Sequence, residues 1–225
     1  MNQLGVRSVY VLDDQDPFDV PLAAIVAQDA AGAGITVVGR DSVSTPPGTI
    51  FRAEVEKIVQ SHAQAVFFAG GAGAGAVALW QQLHSADPHL LLLGTSALAG
   101  EAFTSLLGAA EASTYLTTPL FPPAMYPPAA RRVLGDYRRQ FGEQAGAYAL
   151  YGYEAMSVVL EAIRSAGVRG NDRQVVTDRF FATRHRASVI GRYSIMADGE
   201  TTLSRYAIDR VLGGHAVFLR AIGRR

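Results

Sequence analysis

Five times in its first half the chain passes from a short apolar run, through a small polar loop, into a pattern of helical periodicity. The runs are residues 8–12, 36–39, 65–68, 90–93 and 114–117. Apolar runs this short, alternating with amphipathic helices, read as strands of a parallel sheet joined by crossover helices. In open sheets of this kind ligands sit in the crevice at the carboxyl ends of the strands. The loops at 13–21, 69–75 and 94–99 are therefore where function is expected.

Composition excludes several classes of function. The chain has 225 residues, 49% of them hydrophobic, enough for one large domain or about one and a half small ones. The formal net charge is zero, so no electrostatic footprint for nucleic acid or an anionic membrane surface is present. There is no cysteine, which removes disulfides, thiol nucleophiles and thiolate metal sites. No apolar stretch reaches the ~20 residues of a membrane-spanning helix. The first seven residues lack the charged and apolar regions of a signal peptide, so the chain is expected either to stay inside the cell or to be without a natural leader.

After residue 118 the texture changes. Residues 119–128 hold five prolines and read as an irregular connecting arm. Helices are expected at 129–141, 147–166 and 172–183, the second with an apolar stripe through Tyr151, Ala155, Val158 and Ala162. Strands are expected at 189–195, 206–211 and 216–221. Gly213-Gly214 marks a hairpin turn between the last two.

The sharpest local motif is Gly70-Gly71-Ala72-Gly73-Ala74-Gly75-Ala76, directly after one expected strand and opening a helix. Gly71-x-Gly73-x-x-Ala76 matches the dinucleotide fingerprint in form, which makes a nucleotide-dependent, Rossmann-like enzyme the alternative reading. It follows the third strand rather than the first, and no acidic residue ends the next strand to hold a ribose. A tight strand-to-helix turn, or free amides facing another small ligand, remain open. Asp13, Asp14, Asp16 and Asp19 lack the glycine and glutamate of a calcium loop and read as turn and helix-start residues. Phe18, an apolar ring in that polar loop, is either a pocket wall or a staple onto the following helix. Ser96 does not meet the nucleophile elbow, because Leu98 stands in the place of its second glycine. The five histidines form no metal-spaced pair. Tyr148 and Tyr153 lie off the helical stripe and can reach a cleft.

Taken in order, these segments resemble the type I periplasmic solute-binding proteins of the branched-chain amino acid transport class. The resemblance rests on Val9-Tyr-Val-Leu-Asp-Asp-x-x-Pro-Phe, on Phe51-x-x-x-Val-x-Lys-Ile followed by Ala65-Val-Phe-Phe-Ala-Gly-Gly, and on Tyr115-x-Thr-Thr-Pro. Later landmarks are Tyr137-x-x-x-Phe-Gly, Ala147-Tyr-Ala-x-x-Gly-Tyr-Glu-Ala and Gly191-x-Tyr-Ser-x-x-x-Asp-Gly-Glu-Thr-Thr. It implies an α/β fold with a doubly wound, flavodoxin-like parallel sheet, in a family whose two lobes close around a ligand. Residues 1–122 and 205–225 would form the second lobe, ending in a β-hairpin. Residues 123–204 would be a mainly helical remnant of the first lobe, most of which has no counterpart here.

The resemblance further implies a non-enzymatic, extracytoplasmic ligand-binding domain without a cofactor or catalytic residues. Its expected partners are an amino acid or small organic acid and the membrane permease of an ABC transporter, and the stripe of helix 147–166 is to be covered by the chain's own second lobe, a second copy of the chain or a separate polypeptide. Phe18 would wall the ligand side chain. Gly71 stands where an aromatic wall often stands, with Ala72 beside it among the expected ligand-binding residues, Ser96 where an acidic residue often receives an ammonium group, and Tyr153 would face the cleft from the hinge side.

Overall fold

The computed structural model describes residues 1–223. Strands β1 (Ser8–Asp13), β2 (Thr36–Ser42), β3 (Ala65–Ala69), β4 (Leu91–Gly94) and β5 (Thr114–Thr118) alternate with helices α1 (Asp19–Gly32), α2 (Arg52–Gln60), α3 (Ala74–Ala86) and the short α4 (Glu101–Thr104). The chain then forms α5 (Pro128–Phe141), α6 (Ala149–Ala166), α7 (Arg173–Phe181) and two two-residue strands, β6 (Arg186–Ala187) and β7 (Arg192–Tyr193). It returns as β8 (Tyr206–Leu212) and β9 (His215–Ile222). Two compact units result: Met1–Pro119 with Ala207–Ala221, and Leu120–Tyr206 with Ile222 and Gly223.

The first unit is built on a seven-stranded sheet in the order β2-β1-β3-β4-β5-β8-β9. Strands β1 to β5 run parallel, and β8 pairs antiparallel with β5. Strand residues alternate between two cores. Tyr10, Leu12, Val66, Phe68, Leu92 and Leu116 pack with Val55 and Ile58 of α2 and with Leu79, Trp80 and Leu83 of α3. Val9, Val11, Ala65, Phe67 and Leu93 face the opposite way, against Ala23 and Ala30 of α1. Helices thus cover both faces, which is why the strands read as unbroken apolar runs rather than alternating ones. Trp80 is fully buried between Phe68 and Phe103, each edge-on at 5.5 Å, and its indole N–H donates to the Thr114 hydroxyl at 3.1 Å.

Two devices fix the edge of this sheet. The only lysine, Lys57 on α2, donates to both oxygens of Asp41 on β2, at 2.8 and 2.7 Å, and the Tyr10 hydroxyl donates to the same carboxylate. The ammonium holds the Asp41 carboxyl below the usual carboxylate range. Gly39 is needed because the Tyr10 ring lies where its Cβ would project. At the far end, Gly213 and Gly214 both take positive φ (57° and 79°), the geometry of a two-residue turn between β8 and β9.

The second unit is mainly helical. Ala130 of α5, Leu150 of α6 and Val189 form one core, and Val158 of α6, Tyr193 and Ile195 a second. Beside them lies a buried ion pair. Glu154 accepts from Arg186 Nε at 2.6 Å and from the Tyr193 hydroxyl at 2.8 Å, and Arg186 also donates to Glu161.

The structure corrects three sequence expectations here. Of the strand expected at 189–195 only β7 and an isolated bridge from Ile195 to Thr201 form, because Gly191 takes φ 133° and turns the chain. The proline-rich arm contains a 3₁₀ turn at Pro123–Met125, and Pro128 opens α5, where its missing N–H costs nothing. The buried row of α6 is Leu150, Glu154, Val158 and Ala162, while Ala155 is exposed.

Candidate functional site

Strand order reverses between β1 and β3: the chain steps from β1 outward to β2, then back across β1 to β3 and on to β5. At such a switch point two adjacent loops leave the sheet in opposite directions and open a crevice at the carboxyl ends of the strands. Here those two loops are the one after β1, which holds Phe18, and the one after β3, which holds Gly71 and Ala72. The loop after β4, with Ser96, lies beside them.

The two loops are clasped by Asp14. Its backbone N–H donates to the Ala69 carbonyl at 3.1 Å, extending the β1–β3 pairing by one bond. Its Oδ2 accepts from the Gly71 N–H at 2.8 Å, and its Oδ1 from the Asp16 N–H at 3.1 Å. The remaining aspartates fold the first loop in the same way. Asp13 Oδ1 accepts from Gln15 N–H at 3.1 Å, and Asp16 Oδ1 from Phe18 N–H at 2.8 Å. These successive Asx turns carry the chain through Gln15 at φ 70° and into α1. Burial and the charges of Asp14 and Asp16 raise the Asp19 carboxyl above its ordinary value. Four carboxylates on one short loop make the local field negative. Among the described residues no three of His, Asp or Glu converge as a metal site.

Phe18 emerges from this loop with 74% of its surface exposed. A staple onto α1 would bury the ring, and this exposure speaks against that reading. Gly71 and Ala72 are exposed beside Asp14. Ser96 begins a 3₁₀ turn, Ser96–Leu98, whose preceding residue Thr95 accepts the Ala97 N–H at 3.3 Å through its side chain. Ser96 is half-buried and neutral. Tyr153 belongs to the other unit, on α6, and is 49% exposed.

The glycines after β3 have structural reasons. A Cβ at Gly70 would enter the Phe68 ring, and one at Gly75 would meet the backbone carbonyl of Thr45, where the loop after β2 crosses the start of α3. The Gly71 amide is already held by Asp14. A phosphate here would therefore face a carboxylate instead of free donors, the reverse of what a pyrophosphate cradle needs. Sequence reasoning missed this clasp. An aspartate ending a strand signals a turn, but nothing in the sequence pairs position 14 with position 71.

The family model described as periplasmic binding protein matches residues 1–215. A leucine-binding protein of Thermotoga maritima superposes with a TM-score of 0.79 at 20% identity, over 98% of this chain. A putative branched-chain amino acid ABC transporter protein of Rhodospirillum rubrum gives 0.78 at 25% identity, over 97%. A solute-binding protein of R. palustris, solved in complex with benzoate, gives 0.73 at 14% identity, over 99%. The chain spans 62%, 62% and 61% of the lengths of these three proteins. No curated protein sequence matches it. A sheet of order 2-1-3-4-5 with its loops clasped at the switch point, and a family match running from the first residue to the last hairpin, place the chain in the periplasmic binding protein family.

Proposed function

We propose that this chain is a non-enzymatic ligand-binding component of an ABC transport system, taking a small molecule at the β1–β3 switch point. The observation that carries the reading is the exposed Phe18 ring, presented by a loop whose aspartates Asp13, Asp14 and Asp16 bind backbone N–H groups of that loop and of the loop after β3. A loop rigidified in this way pre-pays the ordering cost of binding, and an exposed aromatic on a rigid loop is an economical apolar wall. Gly71 and Ala72 leave room opposite the ring, and Ser96 supplies a neutral hydroxyl.

The ligand class is an amino acid or a small organic acid with an apolar or aromatic group. The fold matches include a leucine-binding protein and a benzoate complex, which bracket that class. The negative field of Asp13, Asp14, Asp16 and Asp19 favours the member that carries an ammonium group over a bare carboxylate. An extracytoplasmic location and a membrane permease as partner belong to the same reading. Calorimetry with leucine, isoleucine, phenylalanine and benzoate tests it. Binding by one of them that weakens about tenfold or more in Phe18→Ala supports the assignment. Equal affinity in the variant would remove Phe18 from the site. Heat from nicotinamide cofactors but from none of these ligands would favour the enzyme reading instead.

A further inference from the structure

A cavity of about 420 Å³ opens in the second unit between α6, α7 and the chain that leads into β6. Its size falls in the range of small-molecule sites. Every residue that lines it lies between 158 and 187, so one unit supplies all of its walls. Val158 and Ala162, buried on α6, form an apolar part of the lining, and Ala182 and Ala187 add to it from the chain after α7. Three guanidinium groups, those of Arg179, Arg184 and Arg186, line the same cavity.

The three cations are held differently. Arg186 donates through Nε to Glu154 and through Nη1 to Glu161, so both carboxylates at the cavity are spent on this one arginine. Arg184 is fixed by backbone alone. Its Nη1 donates to the carbonyls of Phe181, Thr183 and Ile195 at 2.7, 2.8 and 2.8 Å. Those bonds hold the plane of the guanidinium and leave its Nε and Nη2 unspent. Among the described residues no carboxylate pairs with Arg184 or Arg179. One cavity thus carries two uncompensated positive charges, one of them on a group already locked in place.

We propose that this cavity is a binding site for a small organic phosphate, separate in its residues from the loops after β1, β3 and β4. The assignment goes beyond the transport reading and does not depend on it. A phosphomonoester near neutral pH carries close to two negative charges, which matches Arg179 and Arg184, and a guanidinium edge receives its oxygens in bidentate fashion. The clamp on Arg184 removes part of the ordering cost of binding. The Thr183 hydroxyl adds a donor from the same lining. Glu161 also lines the cavity, and its contact with Arg186 turns its charge to that partner. The apolar lining takes the body that carries the phosphate.

Amide NMR titration of the full chain with phenyl phosphate, at about pH 8 where the phosphate is a dianion, tests this. Saturable shifts are expected at Ser165, Ala182, Thr183, Arg184 and Arg186, with a dissociation constant on the order of 1 mM or below. Benzoate, a monoanion on the same ring, is expected to shift these residues at least about tenfold more weakly. Arg179→Gln removes a guanidinium that the fold does not use, and is expected to weaken phenyl phosphate about tenfold with the thermal midpoint unchanged. Arg164→Gln removes the same charge from α6 outside the cavity and is expected to change affinity less than about twofold. An equal loss in the two variants would show a diffuse charge effect and overturn the proposal. Equal affinity for benzoate, or no saturable shift at these residues up to about 10 mM phenyl phosphate, would overturn it as well.

Discussion

Removing the Glu154 carboxylate is expected to be the most damaging single change in the helical unit. Its side chain is 4% exposed and that of Arg186 15%, so neither charge can turn to water when the other is lost. One oxygen, Oε1, accepts both from Arg186 Nε at 2.6 Å and from the Tyr193 hydroxyl at 2.8 Å. Breaking a buried pair from one side costs roughly 3–5 kcal/mol, and an orphaned buried hydroxyl about 1 kcal/mol more. Arg186 keeps Glu161 as a partner, on a carboxylate 62% exposed, which returns part of the loss. Glu154→Ala is therefore expected to cost about 3 kcal/mol, read as a lowered urea midpoint by far-ultraviolet circular dichroism. Glu154→Gln keeps an acceptor for Tyr193 and is expected to cost about half as much. Replacing the whole pair, Glu154→Leu with Arg186→Met, is expected to lie within about 1 kcal/mol of wild type. Burial and the Glu154 contact push the Tyr193 phenol up to about 12. Its ultraviolet titration is expected to move down toward the ordinary value in Glu154→Ala. A cost under about 0.5 kcal/mol with an unchanged titration would refute the claim that this carboxylate organises α6 against β6 and β7.

In the sheet unit, Thr114→Val removes the acceptor of the Trp80 indole and a hydroxyl that donates to the Ala110 carbonyl at 2.7 Å. It is expected to cost about 1–2 kcal/mol, followed by the fluorescence of Trp80, the single tryptophan. Gly75→Ala drives a Cβ into the Thr45 carbonyl and is expected to cost about 2–3 kcal/mol, whereas Gly73→Ala meets nothing and stays within about 0.5 kcal/mol. Equal effects of the two on thermal stability would contradict the packing reason given for that glycine run. Burial raises Asp209 on β8 to about 6 from an ordinary value near 4. The folded state then holds a proton that the unfolded chain has lost between those pH values, so stability falls as pH rises from about 4 to about 6. Asp209→Asn is accordingly expected to gain about 1–2 kcal/mol at pH 7 and to be neutral near pH 4, a difference that denaturation at the two pH values measures.

The sheet was legible because its signal is local. Strands buried on both faces are apolar at every position, and Gly213-Gly214 names its own turn. What escaped the sequence depends on partners far along the chain. Glu154 lies inside because Arg186, thirty-two residues later, meets it there, and periodicity alone ranked Ala155 as the inward residue. Asp14 reads as a turn residue until the fold brings the Gly71 amide to it. The strand expected at 189–195 fails at one residue, Gly191, whose conformation the β-rich residues around it do not reveal. For the candidate site, the loop positions followed from the strand pattern. The clasp that holds them, and the exposure it gives Phe18, came only from three dimensions.

The most direct test of the account is a backbone-amide NMR titration with isoleucine and with benzoate, watching the three loops at the carboxyl ends of β1, β3 and β4. The account predicts saturable shifts concentrated at Phe18, Gly71, Ala72 and Ser96, lost in Phe18→Ala. No shift from either ligand up to about 10 mM, or shifts confined to residues away from these loops, would contradict it.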